Sequence, residues 1–129
     1  MKIVVADDLP ESALELLRTE GWHIDARTGR SPADLAKDLA DADGLLVRSA
    51  TKVTKELLAA AGHLRIVGRA GTGVDNIDVA AASGRGVLVV NAPGANSISV
   101  AEHACALMLA LARMVPAADQ AMKGGKWEK

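Results

Sequence analysis

The chain has 129 residues, half of them hydrophobic, a formal net charge of −1 and one cysteine. That length suits one domain or a domain with an appendage. Interspersed charge argues against a nucleic-acid partner or a polybasic membrane contact, and Cys105 alone makes no internal disulfide and fits a reducing compartment. With no Phe or Tyr and only Trp22 and Trp127, a core has to be assembled from Leu, Val, Ile and Ala. No signal peptide is visible, because the short apolar run at residues 2–6 meets Asp7 and Asp8 at once. No apolar run reaches the roughly 20 residues of a spanning helix. A cytoplasmic protein with no membrane partner is the expectation.

Strand and helix patterns then alternate five times. Residues 2–6 read as a buried strand. Residues 10–20 read as a helix opened by Pro10, with Leu14, Leu16 and Leu17 inward and Gly21 as the stop. Residues 22–26 alternate as an edge strand. Residues 31–40 form a helix with Ser31 as cap and Pro32 in the first turn. Strands are expected at 45–48, 64–67 and 87–90, and helices at 54–61 and 77–83, stopped by Gly62 and Gly84. Short apolar strands separated by helices imply a parallel sheet with right-handed crossovers. The expected architecture is therefore a flavodoxin-like, doubly wound, five-stranded α/β sheet ordered 2-1-3-4-5. Arg48, Arg69 and Asn91 then fall at strand carboxyl ends on one rim.

After residue 98 the chain changes character. Ser99-Val100-Ala101-Glu102 has the spacing of a capping box. It opens an expected helix at 99–115 whose apolar residues cover nearly every face, as in buried or interface helices. Pro116 ends or kinks it, and the remainder is polar with a Gly124-Gly125 break. The domains expected are thus 1–98 and 99–129.

The richest chemistry lies in Gly68-Arg69-Ala70-Gly71-Thr72-Gly73. Glycines after a strand allow positive φ and close approach of a ligand to the backbone, Gly71 included. Arg69 adds a cationic fork for carboxylate or phosphate. Arg48 and Ser49, with Thr51, end the neighbouring strand, so the two loops together read as a cradle for a small anion. The turn is not a dinucleotide fingerprint: Asn76 stands where the third glycine belongs, and no acidic residue follows at the required place. A plain chain reversal is the bland alternative. His23, His63 and His103 lack partners at catalytic or metal-ligand spacing, so no metal site is expected. Asp7-Asp8 hints at a phosphorelay receiver. That reading needs an Asp ending strand three and a Lys ending strand five, where Arg48 and Asn91 stand, which leaves the acidic pair as a loop and helix-start feature.

The same turn, Gly68 to Asp78, resembles the signature of the D-2-hydroxyacid dehydrogenases. Val47-Arg48-Ser49-Ala50-Thr51-Lys52-Val53-Thr54, Asn91-Ala92-Pro93-Gly94-Ala95-Asn96-Ser97 and Gly124-Gly125-Lys126-Trp127-Glu128 match the same family in the same order and spacing. The resemblance implies an NAD-dependent oxidoreductase that converts 3-phospho-D-glycerate to 3-phosphohydroxypyruvate in serine biosynthesis. Sister enzymes for glycerate or lactate, or a stand-alone binding or signalling domain, are the alternatives. It further implies that Arg48, Arg69 and Asn96 help hold the substrate's charged groups and that Thr72 touches the nicotinamide end of NAD. The catalytic His, Glu and Arg, and most of the NAD site, are expected on a further domain that this sequence lacks. The 129 residues are then expected to be an inactive N-terminal part with no catalytic residue of its own. A homodimer, formed by helix 99–115 or by its swapping across a hinge at 93–98, is expected, with a self-docked monomer as the alternative.

Overall fold

The structure is a computed structural model that describes residues 1–127; Glu128, the last residue of the motif at 124–128, and Lys129 lie outside the described residues. It divides into two compact units, Met1–Pro93 and Gly94–Lys129.

The first unit holds a five-stranded sheet in the order β2-β1-β3-β4-β5, all pairs parallel. Its strands are β1 (Lys2–Val5), β2 (His23–Ala26), β3 (Gly44–Val47), β4 (Ile66–Arg69) and β5 (Leu88–Asn91), linked by α1 (Glu11–Thr19), α2 (Pro32–Asp38), α3 (Lys55–Ala60) and α4 (Val79–Gly84). The expected order and edge position of β2 are found. Local chemistry accounts for the helix starts. Ser31, Thr54 and Asp78 each accept a backbone N–H of the first turn. Gly21 and Gly86 adopt positive φ just after α1 and α4.

The two faces of the sheet are packed unequally. On one, Val4, Ala6, Leu45, Val47 and Val67 pack with Leu35 and Leu39 at α2, Leu57 and Leu58 of α3 and Ala82 of α4. On the other, Ile3 and Val5 meet Leu14 of α1, with Leu9, Trp22, Ile24 and Leu46 alongside. Register carries that second face across Ile66 and Gly68 to Leu88 and Val90. There Leu88 is 58% and Val90 40% exposed.

Three expectations about this unit are corrected. Leu16 is exposed, because it lies two residues from Leu14 and so points about 200° around the helix. The fourth strand is Ile66–Arg69, displaced by two from residues 64–67, so Gly68 and Arg69 are strand residues. A Cβ at Gly68 would lie 2.5 Å from Leu46 Cδ2, the tip of a half-buried side chain. Nor does any glycine of the 68–73 stretch take positive φ.

The second unit is a helix pair, α5 (Ser97–Ala112) and α6 (Val115–Lys123), bent by 63°. The expected single helix at 99–115 is corrected at both ends. Its start is set by a turn at Gly94 (φ 76°), where Ser97 N–H donates to the Gly94 carbonyl. Ser99 is therefore already helical, and its hydroxyl donates to the Asn96 carbonyl rather than capping. At the other end, Met114 turns left-handed (φ 51°) and α6 restarts with Pro116 in its first turn. A proline there lacks an N–H the helix does not need, whereas inside one continuous helix it would clash with the Ala112 carbonyl. Helix α6 is absent from the sequence reading. Neither helix has a buried residue, and no single helix among the described residues is long and apolar enough to cross a membrane.

Candidate functional site

The carboxyl ends of β3, β4 and β5 lie side by side, with Val47, Arg69 and Asn91 in register. Arg48 follows Val47 directly, so the expected residues Arg48, Ser49, Arg69, Gly71 and Thr72 share one rim of the first unit. Two loops carry them, and each has its own fastening.

The loop from Arg48 to Thr51 is held by Asp7, at the end of β1. Its carboxylate, only 8% exposed, accepts the Arg48 N–H (2.6 Å), the Thr51 N–H (3.2 Å) and the Thr51 hydroxyl (2.5 Å). Burial by itself pushes this carboxyl's pKa up; the Thr51 hydroxyl and the N–H groups of Arg48, Thr51 and Ala50 outweigh it and hold the pKa below its ordinary 3.8. From the opposite polarity, Asn76 donates its amide hydrogens to the carbonyls of Arg48 (2.8 Å) and Thr51 (2.7 Å). Its own Oδ1 is buried without a partner. A parallel bridge between Val53 and Ile77, both buried, ties the loop after β3 to the loop after β4.

The turn after β4 is organised by Arg69 itself. The guanidinium, 11% exposed, donates from Nε to the Arg48 carbonyl (3.3 Å) and lies 3.3 Å from Asp75 Oδ1. It folds over Gly71 and Gly73: a Cβ at Gly71 would stand 3.2 Å from Arg69 Nη1, and one at Gly73 3.0 Å from Asp75 Oδ1. Those two glycines are bare to seat the arginine, not to reach unusual φ. The Asn91 side chain donates to the Thr72 carbonyl (2.7 Å) and the Ala92 N–H to the Gly71 carbonyl (3.0 Å), which pins the turn to the end of β5.

The rim is therefore a prearranged cationic edge. Arg69 is held in place, while Arg48 is exposed and touches only the Asp8 carbonyl at 3.4 Å. The Ser49 hydroxyl is exposed. The carbonyls of Arg48 and Thr51, which would repel an anion, are both occupied by donors. Thr72 is exposed. Asn96 belongs to the second unit, at the N-cap position of α5, where its side chain makes no capping bond. Sequence reasoning missed Asp7 and Asn76 as organisers. The signal for Asp7 was an acidic residue closing a buried strand; for Asn76, a side-chain amide where a glycine was being sought.

A cavity of about 770 Å³ opens between α2 and α3, lined among others by Asp7, Arg30, Thr51, Lys52, Leu35 and Leu57. None of Arg48, Ser49, Arg69, Gly71 or Thr72 lines it, although Ala50 and Thr51 of the same loop do.

Residues 3–124 match the family described as D-isomer specific 2-hydroxyacid dehydrogenase, catalytic domain. The chain belongs to that family. Among curated relatives, the D-3-phosphoglycerate dehydrogenase of Archaeoglobus fulgidus is 50% identical over 129 residues, covering 100% of this chain and 24% of that protein. The chain spans about a quarter of the length of the curated relatives it matches. Among solved structures, NAD+-bound 3-phosphoglycerate dehydrogenase of Entamoeba histolytica aligns with a TM-score of 0.74 at 34% identity, covering 85% of this chain and 38% of that one. NAD-dependent formate dehydrogenase of Staphylococcus aureus in complex with NAD aligns with a TM-score of 0.81 at 30% identity, covering 99% and 42%.

Proposed function

We propose that this chain is the substrate-side unit of an NAD-dependent oxidoreductase acting on 3-phospho-D-glycerate, in serine biosynthesis. The observation that carries the reading is the pair Arg48 and Arg69, joined through the Arg48 carbonyl on a rim where the Arg48 and Thr51 carbonyls both accept donors. The named activity of relatives at 50% identity supports the substrate, and the NAD+ complex of a neighbour supports the cofactor. Arg48, Ser49 and Arg69 bind and orient the anion, the Gly71 backbone forms the wall, and the family resemblance adds Asn96 to the substrate-binding residues. Thr72 faces the nicotinamide end of NAD. No residue of this chain moves a proton or hydride, and the diphosphate has no cradle here.

The enzyme is read as cytoplasmic and homodimeric. Support for the dimer comes from the exposed apolar side chains Leu107, Met108, Leu109 and Leu111, spread over several faces of α5. The dimer is proposed to form through that helix, by swapping or side by side.

Steady-state kinetics of the dehydrogenase containing this unit test the reading. Arg48→Ala and Arg69→Ala are expected to raise KM for 3-phosphoglycerate by about 10- to 150-fold, the worth of a charge-assisted contact of ~1.5–3 kcal/mol. Thr72→Ala is expected to shift the affinity for NAD instead. An unchanged KM in Arg48→Ala sinks the anion-cradle assignment. The 129-residue chain alone is expected to form no NADH.

A further inference from the structure

We infer that Asp7 and Asn76 are positioning residues that hold the Arg48–Thr51 loop in its anion-receptive shape, an inference that rests on the substrate reading above. Neither residue needs to touch substrate. Asp7 takes the loop's N–H groups at its two ends, Arg48 and Thr51, together with the Thr51 hydroxyl. Asn76 takes the carbonyls of the same two residues. One loop is thus gripped at the same two positions by an acceptor just after β1 and a donor from the segment after β4. With four backbone groups spoken for, the segment between the ends has little freedom, and Arg48 and Ser49 are presented with their exposed side chains outward.

The division of labour has an electrostatic sense. An anion arriving at Arg48 would be opposed by backbone carbonyls turned toward it. Asn76 hides two of those and Arg69 shares one. Asp7 is itself an anion, yet it is 8% exposed and its charge is spent on three donors. The unpartnered Oδ1 of Asn76 fits the same account. A buried acceptor left without a donor is unfavourable, and the amide retains it because both its hydrogens are committed to the loop.

The chemistry of the grip separates conservative from disruptive changes. In Asp7→Asn the remaining oxygen can face the two N–H groups while the amide nitrogen donates to Thr51 Oγ1, since a hydroxyl both donates and accepts. The grip survives that change in outline. Asp7→Ala removes it, and Asn76→Ala frees both carbonyls.

Kinetics of the dehydrogenase, arranged as double-mutant cycles with Arg48→Ala, decide the matter. Asp7→Ala and Asn76→Ala are each expected to raise KM for 3-phosphoglycerate about tenfold with KM for NAD unchanged, and Asp7→Asn by no more than about threefold. Because the positioning acts through Arg48, adding either change to Arg48→Ala is expected to raise KM little further, a coupling of the size contacting residues show. Additive effects, or equal losses in Asp7→Asn and Asp7→Ala, overturn the inference. If Asp7→Ala fails to fold, Thr51→Val, which deletes only the hydroxyl donated to Asp7, takes its place in the cycle with the same non-additive expectation. A different result marks failure of the underlying reading: Arg48→Ala itself leaves KM unchanged, whatever Asp7 and Asn76 do.

Discussion

The two units of this chain put similar fractions of apolar residues to opposite ends. In the first, strands only four residues long are enough, because α2, α3 and α4 cover one face and α1 part of the other. Every buried apolar residue of the described chain lies in this unit, between Ile3 and Val87. In the second, α5 is more apolar than any helix of the first and buries nothing, with Leu109 and Leu111 among its exposed side chains. Hydrophobic content therefore does not predict burial here; periodicity does. Helix α1 has one apolar stripe and sits on a sheet, whereas α5 is apolar all round, the pattern of a helix that meets partners on several sides.

The most forceful test of that contrast is a matched pair of truncations. Leu58, 1% exposed, sits in the main core, and Leu111 is 74% exposed. Leu58→Ala is expected to cost about 2–5 kcal/mol in urea unfolding of the 129-residue chain. Leu111→Ala is expected to stay within about 0.5 kcal/mol. A comparable loss at Leu111 in dilute protein would show that α5 contributes to the same cooperative core.

Such a contrast also marks where the sequence was readable. The strand order followed from five short apolar runs separated by helical patterns, and the helix start at Ser31 followed from its side chain. The strand ends did not. Gly68 and Arg69 look like a turn by composition, but both are strand residues paired with Leu46 and Val47 of β3, a fact of register that no local pattern reveals. Arg48, Ser49, Arg69, Gly71 and Thr72 came out on one rim because strand carboxyl ends are countable. Asp7 and Asn76 did not come out, because their partners lie 41 to 44 and 25 to 28 residues away. At α5 the capping-box spacing pointed to Ser99, while the backbone turn at Gly94 had already started the helix.

Acid sharpens the picture of the first unit. Asp25 is held at a pKa of about 2, first by the Arg27 side chain, against the opposing effect of burial, and further by Arg30. A carboxyl whose folded pKa is depressed stabilises the fold above its unfolded pKa and loses that stabilisation as pH falls toward the folded value. Its contribution is about 2 kcal/mol, present at neutral pH and lost between roughly pH 4 and 2. Urea unfolding from pH 5 to 2 is expected to show the wild type losing about 2 kcal/mol more than Asp25→Asn. Parallel curves would remove Asp25 as a source of acid sensitivity.

Next in size is a comparison within the sheet. At Gly44 an added Cβ would lie 2.6 Å from Ile3 Cδ1 and 3.2 Å from Ile66 Cγ2. Ile3 is buried beneath α1, so Gly44→Ala is expected to cost about 1–2 kcal/mol as overpacking. At Gly68 the close atom is the tip of half-buried Leu46, which can swing aside, and Gly68→Ala is expected to cost less than about 0.5 kcal/mol, helped by alanine's smaller backbone entropy loss. Equal costs at the two sites would mean that the face across β4 and β5 is as confined as the face under α1.

The smallest effect concerns two serines with the same spacing to an acidic residue, Ser31 to Asp34 and Ser99 to Glu102. Ser31 has extended backbone (φ −65°, ψ 156°); its hydroxyl accepts the Asp34 N–H at 3.1 Å and donates to the Asp34 carboxylate at 2.7 Å. Ser99 is inside α5, and its hydroxyl only duplicates a bond to the Asn96 carbonyl, which already accepts the Val100 N–H. A cap requires non-helical backbone at the capping residue, so identical spacing gives a cap in one place and none in the other. Ser31→Ala is expected to cost about 1 kcal/mol in urea unfolding. Ser99→Ala is expected to leave helicity by circular dichroism unchanged or slightly raised, since alanine is the better helix former by a few tenths of a kcal/mol. A loss of helix in Ser99→Ala would move the start of α5 back to Ser99 and restore the capping box there.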